Sequence, residues 1–208
     1  MTNFWEKLFI ERGTLWEFHP SDSAIIASKL FQEKNLNKIL IPGVGYGRNA
    51  KHFIDTGFNV SGVEISETAI ELARKNNLNF NIYHGSITDI PFDNETYEAI
   101  FCYATLHLFT KQERARILNN CYNLLDQNGI MFFTVVSIDS IEGFSGNLIS
   151  ENTKKLENGI ELHFYNSESI LNDFGNYNII DISKIEEPIK HMKDEKPLNC
   201  FNVICKKI

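Results

Sequence analysis

No apolar run in this sequence approaches the roughly 18 residues that a membrane-spanning helix needs, so no membrane partner is expected. The chain also lacks a basic stretch followed by an apolar core near Met1-Thr2-Asn3-Phe4-Trp5-Glu6-Lys7, and no secretory signal is expected. Cysteine is scarce. Cys102, Cys121, Cys200 and Cys205 form no Cys-x-x-Cys pair and no His-rich metal spacing, which leaves neither a zinc motif nor a disulfide framework. Cys102 and Cys121 fall in apolar segments, as suits reduced, buried thiols in a cytoplasmic protein. Basic charge is in deficit as well, with 20 Lys and Arg against 27 Asp and Glu and a formal charge of −7. Nucleic-acid binding needs a basic face that displaces counterions from phosphates, and the scattered cations here argue against such a partner. Internal repeats and low-complexity segments are absent too.

What is present is the composition of one globular domain: 208 residues, 43% apolar and 23% charged. The middle of the chain alternates strand and helix. Strands are expected at Lys38–Ile41, Asn59–Glu64, Asn79–His84, Tyr97–Tyr103 and Ile130–Val136. Helices are expected at Asn49–Thr56, closed by Gly57, and at Ser66–Arg74, where Ser66 can cap. A third spans Lys111–Leu125, with Ala115, Ile117, Leu118, Cys121, Leu124 and Leu125 on its apolar side and a break at Asp126–Gly129. Residues Ser137–Gly159 are polar and read as loop plus irregular structure. Asn166–Phe174 then reads as a helix, and Tyr177–Ile185 and Asn199–Lys206 as strands joined by a charged loop. This order implies an α/β fold: a doubly wound, mostly parallel sheet with helices on both faces.

The most informative stretch is Ile41-Pro42-Gly43-Val44-Gly45-Tyr46-Gly47-Arg48-Asn49, between the first strand and its helix. Alternate glycines let the backbone turn sharply and approach a ligand with no Cβ in the way, at the strand edge where open α/β sheets bind ligands. A plain tight turn is the competing reading. Glu64 ends the second strand, about twenty residues further on, where a carboxylate can accept hydrogen bonds from both ribose hydroxyls. It could equally serve as a helix-terminus charge. Loop and acid together favour an adenosine-containing cofactor. A dinucleotide site would place its third glycine where Arg48 stands.

That spacing resembles the first motif of the class I S-adenosylmethionine-dependent methyltransferases. Val60-Ser61-Gly62-Val63-Glu64-Ile65-Ser66 is similar to their second motif, and His84-Gly85-Ser86-Ile87-Thr88-Asp89-Ile90-Pro91-Phe92 to their Gly-Asp-x-x-x-Leu-Pro-Phe stretch, with Ser86 in place of Asp. Tyr97 to His107 resembles the strand and segment that meet methionine and substrate, and Asp126–Gly129 the Leu-x-Pro-Gly-Gly turn. The resemblance implies a Rossmann-like seven-stranded sheet with an antiparallel last strand. It implies cofactor contacts from Pro42, Gly43, Val44, Gly45, Gly47, Glu64, Ile65, Ser86, Ile87 and Tyr103. Phe4-Trp5-Glu6-Lys7, Gly13-Thr14-Leu15-Trp16 and Ile-Pro-Gly-Val-Gly are similar to the thiopurine and halide/thiol methyltransferases. In that group residues 1–35 would form a helical lid, with Trp5 and Trp16 over the cofactor; simple core packing is the alternative for both rings.

Methyl transfer from a sulfonium is an in-line displacement that depends on desolvation and alignment. Aromatic faces can stabilise the sulfonium, a role open to Trp16, Tyr46 or Tyr103. Candidate groups toward a small-molecule acceptor are Tyr103 and His107, with His19 in the lid. His107 can act as a base near neutral pH or be a packed side chain. Residues 137–165 are expected to frame the acceptor pocket. The other histidines (His52, His84, His163, His191) have no ligand spacing, so no metal is expected. Two other functions stay open: a non-catalytic S-adenosylmethionine-binding protein and an NAD-dependent oxidoreductase.

Overall fold

A computed structural model describes residues 2–188 and 196–208; Met1, His191 and the middle of the charged loop lie outside the described residues. Two helices come first, α1 (Thr2–Arg12) and α2 (Asp22–Glu33). An alternating series follows: β1 (Lys38–Pro42), α3 (Arg48–Asp55), β2 (Asn59–Glu64), α4 (Glu67–Lys75), β3 (Asn81–His84), β4 (Tyr97–Tyr103), α5 (Lys111–Leu124) and β5 (Leu125–Val136). After a 3₁₀ turn at Ile138–Gly143 come β6 (Asn147–Ser150), β7 (Thr153–Lys155), β8 (Glu161–His163), α6 (Ser167–Phe174), β9 (Ile179–Glu187) and β10 (Leu198–Lys206).

The main sheet has seven strands in the order β3-β2-β1-β4-β5-β10-β9. β1 pairs in parallel with both β2 and β4, whereas β10 runs antiparallel to β5 and β9. This is the Rossmann-like α/β fold expected from the sequence. The order reverses between β1 and β4, which opens a crevice at their carboxyl ends.

Alternation along the strands explains the two cores. On β4, Ile100 and Cys102 join Ile117, Leu118 and Cys121 of α5 and Ile170 and Phe174 of α6. Ala99 and Phe101 face the other way, toward Ala27 and Phe31 of α2 and Phe53 of α3. Both faces of the sheet are thus covered, so its strands read as near-continuous apolar runs.

Three expectations are corrected. On α5, Ala115 is exposed and Arg114 buried, because position 114 faces α6, where Asp173 pairs with it. The break at Asp126–Gly129 does not precede β5 but is folded into it: pairing jumps from Tyr97–Leu125 to Ala99–Ile130, with Asn128 at φ 68°. The polar stretch after Ser137 is more ordered than expected, since β6, β7 and β8 form a small antiparallel sheet. Its strands of three or four residues carry too little apolar contrast to show a period of two.

Candidate active site

The loop after β1 is shaped by glycine. Gly43 and Gly47 sit at φ 69° and 86°, a region most side chains avoid. A Cβ on Gly43 would lie 2.8 Å from Thr105, and one on Gly47 would lie 2.7 Å from Leu78. Gly43 and Val44 donate their amides to the Val63 carbonyl at 2.9 and 3.0 Å, which ties the loop to the end of β2.

Glu64, only 5% exposed, stands at that junction. One carboxylate oxygen accepts from the Gly45 amide at 2.8 Å; the other accepts from Ile65 and Ser66 at 2.8 and 2.9 Å. Burial raises its pKa above the usual carboxylate value, and these three amides pull partly the other way. Each oxygen keeps lone-pair capacity toward the cavity beside it.

That cavity, about 510 Å³, has the size of an ordinary small-molecule site. It gathers Trp5, Trp16, Gly43, Val44, Gly45, Glu64, Ile65, Ser86, Ile87 and Tyr103 along one wall or another. Tyr46 lines it as well. Pro42 and Gly47 do not line it; both are buried in the turn that carries it. The Ser86 hydroxyl accepts from the Thr88 amide at 3.3 Å, so that side chain also shapes the 3₁₀ turn after β3.

The N-terminal residues are fastened over this cavity by polar groups. The Trp16 amide donates to the Tyr46 hydroxyl, which donates to the Glu17 carbonyl, both at 2.8 Å. Burial pushes the Tyr46 phenol up to about 12, so it stays protonated in that role. The Trp16 ring stacks on Tyr46 at 6.4 Å with an interplanar angle of 11°. Glu6 accepts from the hydroxyls of Ser66 and Thr68, which fixes α1 to the start of α4.

Sequence reasoning missed several lining residues, among them Phe9, Arg48, Thr105 and Glu187. Arg48 was legible only as the residue in a missing glycine's place; its guanidinium carbon lies 5.2 Å from the centre of the Tyr103 ring. Glu187 had no local signal. Its carboxylate accepts the Asp22 and Ser23 amides at 3.0 and 2.7 Å, capping α2 from 164 residues away.

His19 and His107 are not brought into the cavity. The His19 side chain is 66% exposed, 3.5 Å from Glu17. His107 is 7% exposed, its Nδ1 has no hydrogen-bond partner among the described residues, and burial pushes its pKa down to about 3. It is neutral at physiological pH and does not line the cavity. A histidine whose folded pKa lies below its unfolded value of about 6.5 adds stability above pH 6.5 that is lost as pH falls toward 3. Urea unfolding at pH 7.5 and pH 5 is therefore expected to show stability falling in acid, by up to about 1.4 kcal/mol per pH unit from this group. His107→Leu should flatten that slope; an unchanged slope would show that the imidazole already titrates in the native state.

The residues present suit S-adenosylmethionine: a backbone cradle that a Cβ would fill, an acid at the tip of β2, and aromatic walls. Among the described residues no group of three or more His, Cys, Asp or Glu could hold a metal, and no helix is long and apolar enough to cross a membrane.

Comparison with known proteins agrees with this geometry. A family described as a methyltransferase domain matches residues 39–129. An uncharacterised methyltransferase of Oceanobacillus iheyensis is 23% identical over 70% of this chain and 70% of its own. A glycine/sarcosine N-methyltransferase of Aphanothece halophytica is 25% identical over 62% of this chain, which spans about half (52%) of that relative. Among solved structures, an S-adenosylmethionine-dependent methyltransferase of Clostridium acetobutylicum superposes with a TM-score of 0.69 at 15% identity, covering 88% of this chain and 90% of that one. The 1,6-didemethyltoxoflavin-N1-methyltransferase of Burkholderia thailandensis, solved with bound 1,6-didemethyltoxoflavin and S-adenosylhomocysteine, gives a TM-score of 0.71 at 12% identity, covering 99% of this chain and 86% of that one. Residues 39–129 thus match a methyltransferase domain, and the fold is similar to that of solved S-adenosylmethionine-dependent methyltransferases.

Proposed function

We propose that this enzyme methylates a small-molecule acceptor by in-line displacement, with residues 1–35 as a cover over the cofactor and 137–165 framing the acceptor side. One observation carries the reading: the buried Glu64 carboxylate faces the cavity where the glycine loop passes closest to it. S-adenosylmethionine, when bound, supplies a methyl group made electrophilic by its sulfonium. The chain's own task is to bind, orient and exclude water.

In this reading Glu64 holds the ribose diol, and Ser86 and Ile87 flank the adenine. Arg48, the cation lining the cavity among the described residues, takes the methionine carboxylate. Trp5 and Trp16 keep water out, and the rings of Trp16, Tyr46 and Tyr103 offer faces to a cation. Burial holds the Tyr103 phenol far above its ordinary pKa, so its hydroxyl positions a partner by hydrogen bonding and does not act as a base.

Three features support a small-molecule acceptor over a nucleic acid: the cavity of small-molecule size, the acidic chain, and N-terminal motifs similar to the thiopurine and halide/thiol group. The four buried thiols support a cytoplasmic location. The test is transfer of a labelled methyl group from S-adenosylmethionine to a panel of thiols, amines and hydroxy compounds, followed by mass spectrometry. A product gaining one methyl group is expected. Tight cofactor binding with no product from any small molecule would overturn the acceptor assignment.

A further inference from the structure

The first helix is held to the molecule more by polar groups than by burial. Among the described side chains of α1, Phe9 alone is buried, and it belongs to a small cluster separate from the two cores of the sheet. There its ring lies 6.2, 6.5 and 6.0 Å from those of Trp5, Trp16 and Tyr46. A helix with so little buried apolar surface belongs to the part of a fold that opens most easily.

Two polar tethers oppose that opening. Trp16 and Glu17 are tied to Tyr46 of the glycine loop. The other tether is Glu6, which reaches the turn between β2 and α4. One of its oxygens accepts from the Ser66 hydroxyl at 2.6 Å and lies 3.4 Å from the Thr68 amide nitrogen; the other accepts from the Thr68 hydroxyl. Those two hydroxyls hold the Glu6 carboxyl below its ordinary pKa, so it is ionised near pH 7. An anion suits this place, because the first amides of α4 carry the positive end of its dipole.

Ser66 is the shared element. Its amide donates to Glu64 at 2.9 Å while its hydroxyl donates to Glu6, so α1 is held down on the same turn that presents the ribose carboxylate. Glu6, Ser66 and Thr68 do not line the cavity, whereas Trp5, Phe9 and Trp16 do. What Glu6 controls is therefore the cover and not a contact with the cofactor.

We propose that Glu6 is a positioning residue, a latch whose hydrogen bonds to Ser66 and Thr68 hold α1 closed over the cofactor and set how fast it enters and leaves. The assignment rests on the reading of residues 1–35 as a cover, and it names the group that governs its opening. The latch is made between protein groups alone, so its loss favours the open cover with or without cofactor. Entry and exit then speed up together, and the affinity changes little.

Trp5 and Trp16 are the two tryptophans of the chain and both line the cavity, so their fluorescence reports on the cover. The test is stopped-flow fluorescence of the full chain with S-adenosylmethionine. Glu6→Ala should raise the association and dissociation rates at least about tenfold each, with Kd within about threefold of wild type. Glu6→Gln, which keeps one acceptor oxygen, should fall between the two. Thr68→Val removes one hydroxyl of the latch and leaves the Ser66 cap intact. It should raise both rates by itself and add less in the Glu6→Ala background. The proposal is overturned if both single variants exchange cofactor within about twofold of wild type, or if their effects simply add. It is equally overturned if dissociation alone rises and affinity falls in step, which would make Glu6 a group acting on the bound cofactor. Failure of wild type to bind S-adenosylmethionine would instead overturn the cofactor site itself, on which the latch depends.

Discussion

Glu64→Ala is expected to weaken S-adenosylmethionine binding about a hundredfold, a loss of about 2.8 kcal/mol at 1.4 kcal/mol per factor of ten. A carboxylate that accepts from both hydroxyls of a diol makes two charge-assisted hydrogen bonds, and the loss of each costs about 1.5–3 kcal/mol. Part of that is returned because water can enter beside the alanine. The glycine loop complicates the comparison, since Gly45, Ile65 and Ser66 all lose their acceptor together. Glu64→Gln keeps the shape and one acceptor oxygen but sets an NH2 donor against a diol hydroxyl or a backbone N–H that needs an acceptor. Both variants should bind weakly while the sheet remains folded by circular dichroism. The same carboxylate dictates the acid limb. Its raised pKa means that it takes up a proton at a higher pH than an exposed glutamate, and only the ionised form accepts from both hydroxyls. Affinity should therefore fall as pH drops, with a midpoint above 4.5. Binding to the alanine variant within threefold of wild type would remove Glu64 from the ribose site.

Much of this architecture is legible in the sequence because one physical cause dominates each readable part. The β2 and β4 boundaries are sharp, since both strands are largely buried on two faces and end at the carboxyl edge of the sheet. Ser66 and its Ala69 amide form a cap that depends only on neighbours in the chain. The glycine loop and Glu64 are readable for the same local reason. What stays hidden depends on distance. Glu187 meets α2 across 164 residues, and Asn202 accepts hydroxyls from Ser23 and Thr134 at 2.9 Å in a buried junction of three elements. No window of sequence contains such pairings. Arg114 shows the opposite failure, in which a helical pattern was visible but its polarity misled. A charged residue there belongs to the buried side because its partner comes from α6.

That partner defines the second large effect: Asp173→Ala is expected to cost about 3–5 kcal/mol of folding stability. Arg114 and Asp173 are 7% and 6% exposed, and Arg114 Nε donates to Asp173 Oδ2 at 2.6 Å. The same oxygen accepts from the Tyr165 hydroxyl at 2.9 Å, while an Arg114 Nη1 hydrogen reaches the Phe109 carbonyl at 3.0 Å. Removing the carboxylate leaves the buried guanidinium without its counter-charge and the Tyr165 phenol without its acceptor. The pair itself need not stabilise the fold, because desolvating two charges offsets their attraction. The asymmetry gives a sharp experiment. Asp173→Ala should lower the melting temperature by about 6–20 °C, at about 2–4 °C per kcal/mol for a chain of this size. Arg114→Met combined with Asp173→Leu should recover most of that loss. Additive losses in the double variant would mean that the two residues act independently, and would sink the account of a coupled buried pair.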